Sequence, residues 1–268
     1  GGQYQYQYQT VSEEGFSAVI PSMSWIFDNS TMGYTGPIDG FRQNVSLALS
    51  PGWGSDKIQF QTFKWDSRKY FLFGRDYTLA GRFYYGGSIG ENAQKFFMGG
   101  IPYLIGGHGE TNGEDDYGTW REVLLDTLNQ SLLHDIYFTE YVFPVRGARY
   151  AERFGKNALL MNFEIRFPFI NYLALGFPLK MVFGNIRGHA FLDVGSAWDD
   201  PKEFTDVTKL KNKYGQSSPE TMTPWITTFG VGTKINLGYF LLRIDAAWDV
   251  NHNSYSKPQW YFSLGPDW

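Results

Sequence analysis

The chain has 268 residues, a formal net charge of −4 and no cysteine, and aromatic and charged side chains each make up 19% of it. With 31 glycines, it is too rich in glycine and aromatic residues for a disordered chain, and too poor in helix-forming residues for a helical bundle. The absence of cysteine excludes a disulfide framework and a thiolate metal site. The sequence also has no stripe of basic residues of the kind that indicates nucleic-acid binding.

The first third of the chain alternates between two classes of residue, which is typical of strands. In the first ten residues, for example, tyrosines and glutamines take alternate positions and fall on opposite faces. One predicted strand is expected to contain a bulge near Asp66, because its alternation slips there. The strands predicted in this part of the chain cover residues 3–9, 16–27, 41–50, 57–72 and 77–85.

The middle of the chain is less regular. Residues 94–104 predict a short strand, and residues 106–118 are glycine-rich and acidic, which predicts a solvated outer loop. A capping-box pattern opens residues 119–132 and predicts a helix, after which a β signal returns over residues 133–143. A helix cannot belong to a wall of strands, so residues 104–132 are expected to form an extracellular insertion with a short helix.

The last third predicts five regular strands. The first ends at a turn expected near Pro168. The second, residues 179–198, exceeds the ~9–11 residues that span a membrane and should project beyond the bilayer. The strands cover residues 157–169, 179–198, 225–236, 239–249 and 259–268, and their predicted inward side chains include Asn162, Glu164, Arg166, Arg187, His189, Phe191, Asp193, Lys234, Arg243 and Asp245.

Alternating strands of this kind suit two classes, a soluble sandwich with an apolar core and a membrane barrel with an apolar outer face. The barrel accounts for two further features. The polar faces contain mostly small and neutral residues, and aromatic residues gather toward strand ends, as in interfacial girdles. The aromatic residues in question are Trp25, Phe27, Tyr70, Phe71, Trp260 and Trp268.

The segment FPVRGARY, residues 143–150, holds an arginine between two rigid corners. Proline fixes its own φ and glycine allows φ > 0, so Pro144 and Gly147 present Arg146 in a set direction. Taken by itself, the segment also fits a solvated loop tip.

Three motifs in order resemble the bacterial surface antigen family of outer-membrane assembly and translocation barrels, whose best known member is the core subunit of the barrel assembly machinery. They are VRGA at residues 145–148, NFEIRFP at 162–168 and FLDVGSAW at 191–198. The segment FFMGG at residues 96–100 also resembles the aromatic-Gly-Gly segment before the family's sixth extracellular loop. The resemblance covers about residues 41–268, and it departs from the family at Ala148, where the motif has an aromatic residue, and in a long insertion before Arg146.

The resemblance implies an all-β fold, an antiparallel transmembrane β-barrel domain over residues 1–268 with a loop inserted in its lumen. The VRGA residues, Val145, Arg146, Gly147 and Ala148, would form that loop as a structural latch, with Asp193 as the partner of Arg146. Glu164 and Asp245 are possible secondary partners, and hydrated lumen side chains are the alternative for both. The resemblance also implies that an aromatic terminal strand acts as an assembly signal, here Trp260, Phe262, Leu264 and Trp268.

Function and location follow from the same resemblance. A barrel in the outer membrane of a Gram-negative bacterium is implied, involved in the insertion or translocation of polypeptides, in contact with the lipid bilayer and with other outer-membrane or periplasmic subunits. A barrel that anchors a surface or secretion complex is the alternative. A barrel hydrolase is disfavoured, because His189 and Asp193 lie four residues apart on one strand, about 13 Å. No enzyme activity, cofactor or metal is expected, and no nucleic acid.

The number of strands raises the question of closure. The sequence predicts ten or eleven strands, whereas the family's barrels have sixteen. At about eight strands side chains alone fill a barrel, so ten leave little room for a loop containing Arg146. We therefore expect this sequence to be the C-terminal part of a longer or cleaved polypeptide whose earlier strands, in the same precursor or another chain, complete the wall. A complete ten-stranded barrel, with residues 3–9 paired to residues 259–268, is the alternative.

Overall fold

The computed structural model describes residues 19–53, 57–100, 139–142, 144–148, 153–176, 181–204, 224–237, 240–250 and 258–264. Within them, every regular element is a strand except one 3-10 helix, Pro201–Phe204. No helix in this part of the chain is long and apolar enough to cross a membrane. The strands are β1 (Ser22–Asp28), β2 (Thr31–Gly33), β3 (Gly36–Pro51), β4 (Gln59–Phe73), β5 (Tyr77–Ile89), β6 (Lys95–Met98), β7 (Thr139–Val142), β8 (Arg153–Gly155), β9 (Asn157–Leu175), β10 (Met181–Trp198), β11 (Ile226–Asn236), β12 (Leu241–Asp249) and β13 (Gln259–Leu264).

A single antiparallel sheet contains most of these strands, in the order β1-β3-β4-β5-β9-β10-β11-β12-β13, with β2 paired to the start of β3. Short connections join β4 to β5, β9 to β10 and β11 to β12 at one end of the sheet, and longer ones lie at the other. The β9–β10 hairpin extends past its neighbours at the short-turn end, because β9 has 19 residues and its pairing with β5 stops at Arg166.

The two faces of the sheet differ in the sense expected of a membrane wall. On β5, Thr78 and Arg82 on one face are buried, whereas Leu79 on the other is 48% exposed. The same holds on β9, where Glu164 is buried and Phe163 is 50% exposed. In a soluble sandwich the apolar face is the buried one, so the sandwich alternative is wrong. An apolar outer face and a polar inner face are the pattern of a transmembrane barrel wall.

A second, smaller sheet has the order β7-β6-β8, with β6 parallel to β7 and antiparallel to β8. It packs on the inner face of the wall: Phe96 of β6 lies against Gly86 of β5, and Met98 lies against Gly195 of β10. Lys64 of β4 also donates a hydrogen bond to Glu140 of β7 at 2.7 Å. β6 and β7, which lie within the segments predicted as strands over residues 94–104 and 133–143, therefore belong to this interior sheet and not to the wall.

Two local predictions were wrong. β4 pairs in unbroken register with both neighbours through Asp66, so the expected bulge is absent; the alternation slips because polar Ser67 and Lys69 face outward. The turn expected near Pro168 is also absent, since β9 runs on to Leu175. The register of β9 with β10 shifts at Arg187, opposite Pro168. A register shift accommodates a residue that has no N–H for the ladder.

The girdle prediction holds only in part. The side chains of Trp25, Phe27, Phe71 and Trp260 are exposed on the outer face. Tyr70 instead faces inward and is fully buried, with the guanidinium of Arg166 5.8 Å from its ring centre. Several sequence predictions lie outside the described residues: the strand over residues 3–9, the helix within residues 104–132, and Trp268.

Two glycines of β5 give a matched test of the interior packing. A Cβ at Gly86 would lie 2.6 Å from Phe96 Cε1, whereas nothing lies within 4 Å of a Cβ at Gly81. We expect Gly86→Val to lower the free energy of unfolding by about 1–3 kcal/mol, because overpacking displaces a buried ring. Gly81→Val should be neutral. Urea unfolding in detergent micelles, followed by tryptophan fluorescence, measures both, and equal midpoints for the two variants would contradict the described packing.

Candidate functional site

The segment Pro144–Ala148 lies on the inner face of the wall, and all five of its residues are buried. Val145 N anchors its backbone by donating to Gly99 O at 3.1 Å, and Ala148 N donates to Val145 O at 3.2 Å, which closes a tight turn within the segment. Gly147 has φ +94°, a conformation that side chains rarely adopt. The corner glycine therefore fixes the direction in which Arg146 points.

Arg146 binds Asp193 of β10 through three hydrogen bonds. The backbone N and Nε both donate to Oδ2, at 3.0 and 2.8 Å, and Nη2 donates to Oδ1 at 2.8 Å. Both residues have 0% exposure. A two-pronged guanidinium–carboxylate contact fixes direction as well as distance. The residue pair that the motifs indicate is thus in direct contact on the inner wall.

The sheet register explains why the carboxylate of Asp193 is available at this point. Asp193 is directly opposite Asn162 of β9, whose Nδ2 donates to Asp193 Oδ1 and to Pro144 O, each at 2.8 Å. Two residues along β10, Gly195 leaves the space that Val145 and Met98 occupy. The loop and its partner are therefore placed by the same two strands.

Glu164, predicted as a secondary partner, accepts hydrogen bonds from three positively charged side chains. Its Oε2 accepts from Arg146 Nη1 at 2.9 Å, and its Oε1 accepts from Arg166 Nε at 2.7 Å and from Lys234 Nζ at 2.5 Å. All four side chains are nearly or fully buried. Each charge removed from water is compensated by an opposite charge within hydrogen-bonding distance, which a buried ion cluster requires.

The planar guanidinium of Arg146 also stacks on an aromatic ring, with its carbon 3.5 Å from the ring centre of Phe191. Gly230 on the neighbouring strand leaves the room for that ring. Burial by itself lowers the pKa of the Arg146 guanidinium, but Asp193 and then Glu164 raise that pKa above its ordinary value. The arginine therefore stays charged inside the wall.

Asp245, the other predicted partner, lies beside a histidine instead. His189 Nε2 is 2.8 Å from Asp245 Oδ1, although the two groups are not aligned as a hydrogen bond. They come from β10 and β12, with Gly232 of β11 between them in the register. Sequence spacing within one strand could not reveal this contact, because the pair is formed across three strands.

Tyr261 of β13 is a site residue that sequence reasoning missed. Its hydroxyl accepts a hydrogen bond from Gly147 N at 2.7 Å and lies 3.3 Å from Ala148 O. The tyrosine therefore contacts the loop where the family motif has an aromatic residue and this chain has Ala148. The alternation of side chains along the strand could have revealed it. Trp260 and Phe262 face outward, so Tyr261 between them must face inward.

A second charged cluster lies on the inner face of β4 and β5. Asp66 accepts from Arg68 at 2.7 Å and from Arg82 at 2.9 Å, with each guanidinium contributing a second, 3.1 Å bond. A polar cavity of about 360 Å³ lies between this cluster and Glu140 of the interior sheet. The inner face of the wall is therefore polar and leaves free volume beside it.

This arrangement of charged groups holds a loop in place on the inner face of the wall. Among the described residues, neither ring nitrogen of His189 has a hydrogen-bond partner, and no group of three His, Cys, Asp or Glu side chains could hold a metal ion. The charges of Arg146, Asp193 and Glu164 are paired with opposite charges inside the cluster, which also contains Arg166 and Lys234. Such a cluster can fix the loop on the wall.

Comparison with known proteins finds a match to a family of domains and a similarity to a solved structure. Residues 3–268 match the Omp85 superfamily domain. The crystal structure of BamA from Haemophilus ducreyi lacking POTRA domains 1–3 is similar with a TM-score of 0.51 and 14% identity, over 91% of this chain and 41% of that one. At this identity the likeness is one of fold alone, and the chain spans about two-fifths of that structure. No curated protein matches the chain.

The loop contact of Tyr261 gives a test of the site. Tyr261→Phe leaves the buried Gly147 N–H without its acceptor, so we expect a loss of about 1–3 kcal/mol in the free energy of unfolding. Tyr172→Phe, at a side chain that is 67% exposed, is the control and should change stability by less than about 0.5 kcal/mol. Urea unfolding of the two variants measures the difference, and equal stabilities would show that the hydroxyl does not hold the loop.

Proposed function

The chain belongs to the Omp85 superfamily of outer-membrane barrels, and from this premise we propose that it takes part in the insertion or translocation of polypeptides at the outer membrane. Members of the superfamily are generally non-enzymatic transport and assembly barrels. The observation that supports the proposal best is the loop docked on the inner wall through Arg146 and Asp193. A loop held on the inner face of the wall by a charge cluster suits a barrel that handles other chains.

The composition of the two faces supports the same function. A polar lumen with free volume can admit the backbone of a client polypeptide, whose N–H and C=O groups need partners away from water. The apolar outer face suits the hydrocarbon of a Gram-negative outer membrane. Periplasmic or outer-membrane subunits would then bind at the ends of the barrel, outside the lipid.

The wall, on this proposal, is completed by strands outside those described. β1 and β13 are the two ends of the described sheet, and Trp25 and Ile26, on opposite faces of β1, are 57% and 60% exposed. An open edge in lipid would leave a row of backbone groups unpaired, at several kcal/mol each. The outward row of β13, which contains Trp260, Phe262 and Leu264, is the proposed assembly signal together with Trp268.

Depletion of the protein in its native host tests the function. We expect the folded amount of other outer-membrane barrels to fall and their unfolded forms to accumulate. Re-expression of the wild type should restore them. Asp193→Ala should not, because it leaves Arg146 buried without its carboxylate. Asp76→Ala is the matched control: it removes a carboxylate whose contact with Arg187 is 3.1 Å long and exposed.

The same experiment separates the alternative function. Quantitative proteomics of the outer membrane gives the client amounts, and immunoblotting shows that all variants are present at equal levels. If depletion leaves other barrels unchanged and removes one surface complex, the protein is an anchor for that complex and the insertion proposal is wrong.

A further inference from the structure

A hairpin crosses the lumen at the short-turn end of the sheet. It consists of residues 31–39, in which β2 pairs with the first residues of β3. Asn236 Nδ2, at the end of β11, donates to Tyr34 O at 2.6 Å. Along the wall, β3 and β11 are five strand spacings apart, about 24 Å at ~4.8 Å each. The hairpin therefore reaches β11 directly across the mouth, and not along the wall. We call it the mouth hairpin.

The wall contacts the mouth hairpin from its inner face. Arg166 Nη1 of β9 donates to Pro37 O at 2.8 Å, and Thr35 and Pro37 are buried as a result. Between the hairpin and the wall lies a cavity of about 170 Å³, lined on the wall side by Thr78, Arg166 and Arg187. The hairpin thus covers inward-facing residues of β5, β9 and β10 without filling the space above them.

The connection between the mouth hairpin and the wall is built as a bend. Gly40 has φ +102°, and a Cβ there would lie 2.6 Å from Asn29 O, so the position requires glycine. The register of β2 with β3 shifts at Thr31, next to this point. Asn29 Oδ1 accepts from Phe41 N at 2.8 Å and so stabilises the last rung of the wall before the bend. A shifted ladder re-aims a strand, and here it turns the hairpin into the lumen.

We propose that the mouth hairpin is a gate at the short-turn mouth of the lumen, the periplasmic side in outer-membrane barrels, which opens about Gly40 when its contacts with Arg166 and Asn236 break. Both contacts are hydrogen bonds from a wall side chain to a hairpin carbonyl. Each such bond shifts an equilibrium by roughly 2- to 12-fold. The closed state is therefore favoured and remains reversible. This gate concerns access to the lumen and does not depend on which polypeptides the barrel handles.

Thiol labelling tests the gate, since the chain has no cysteine of its own. Thr78→Cys places a single thiol beneath the hairpin, at a position that is 2% exposed. We expect slow reaction with a charged, water-soluble maleimide. The second change Asn236→Ala should speed the reaction roughly 2- to 12-fold, because one bond to the hairpin is lost. Replacing residues 32–37 by Asn-Gly should speed it further, toward the rate of an exposed thiol.

The control is Lys202→Cys, an exposed position in the 3-10 helix at the other end of the sheet. Its labelling rate should be the same with the intact hairpin, with Asn236→Ala and with the shortened hairpin. Heat-modifiable mobility on gels shows that each variant is folded. If the shortened variant does not fold, Asn236→Ala alone decides the matter. Equal labelling rates at Thr78→Cys with and without Asn236→Ala would show that the mouth hairpin does not open, and would overturn the proposal.

Discussion

The structure depends on the burial of one guanidinium. Arg146 lies wholly out of water, and removing a charge from water costs several kcal/mol unless opposite charges and hydrogen bonds replace the solvent. Asp193 and Glu164 supply them, and the ring of Phe191 covers the face of the guanidinium. If either carboxylate were lost, the arginine would no longer be stable at this depth. The loop that contains it would then be held on the wall only by its remaining contacts, such as those with Asn162 and Tyr261.

The small residues of the wall around Arg146 are those that this burial requires. The loop must approach the wall closely, and the wall has small residues where it does so: Gly195 faces Val145, and Ala247 faces Gly147. The stacked ring of Phe191 likewise needs Gly230 beside it. These glycines weaken their strands slightly, since glycine has little β propensity. The long ladders of β9 and β10, which bring Asn162 and Asp193 together, offset that loss.

Much of the wall could be predicted from period-two alternation, because side-chain direction in a strand depends on parity alone. Parity placed Asp193 and Glu164 inward, and the motif pair from the family resemblance joined Asp193 to Arg146. The contacts that parity could not give depend on register between strands. Lys234 was expected to face inward, but its bond to Glu164 crosses β10, and the contact of Tyr261 with the loop joins β13 to a distant segment.

The interior sheet escaped prediction for a related reason. β6 and β7 alternate as wall strands do, and nothing local shows that they pair with one another in parallel. The burial of Phe96 and Met98, on one face of β6, follows from Phe96 lying over Gly86 and Met98 lying over Gly195, contacts with wall strands that are distant in sequence. Pro168 led to the opposite error, since a turn was predicted where the strand continues. The shift in register between β9 and β10 at this point accommodates the proline within β9.

A double-mutant cycle of Arg146→Ala and Asp193→Ala, read out by urea unfolding in detergent micelles, tests the central claim most directly. Breaking a buried pair by removing one partner costs about 3–5 kcal/mol, so we expect the two changes together to cost little more than either alone, with a coupling of at least about 2 kcal/mol. The pair Arg187 and Asp76, whose side chains are 22% and 52% exposed, is the matched control, with an expected coupling of about 1 kcal/mol or less. Additivity within about 0.5 kcal/mol for Arg146 and Asp193 would show that the loop is held by something other than this contact.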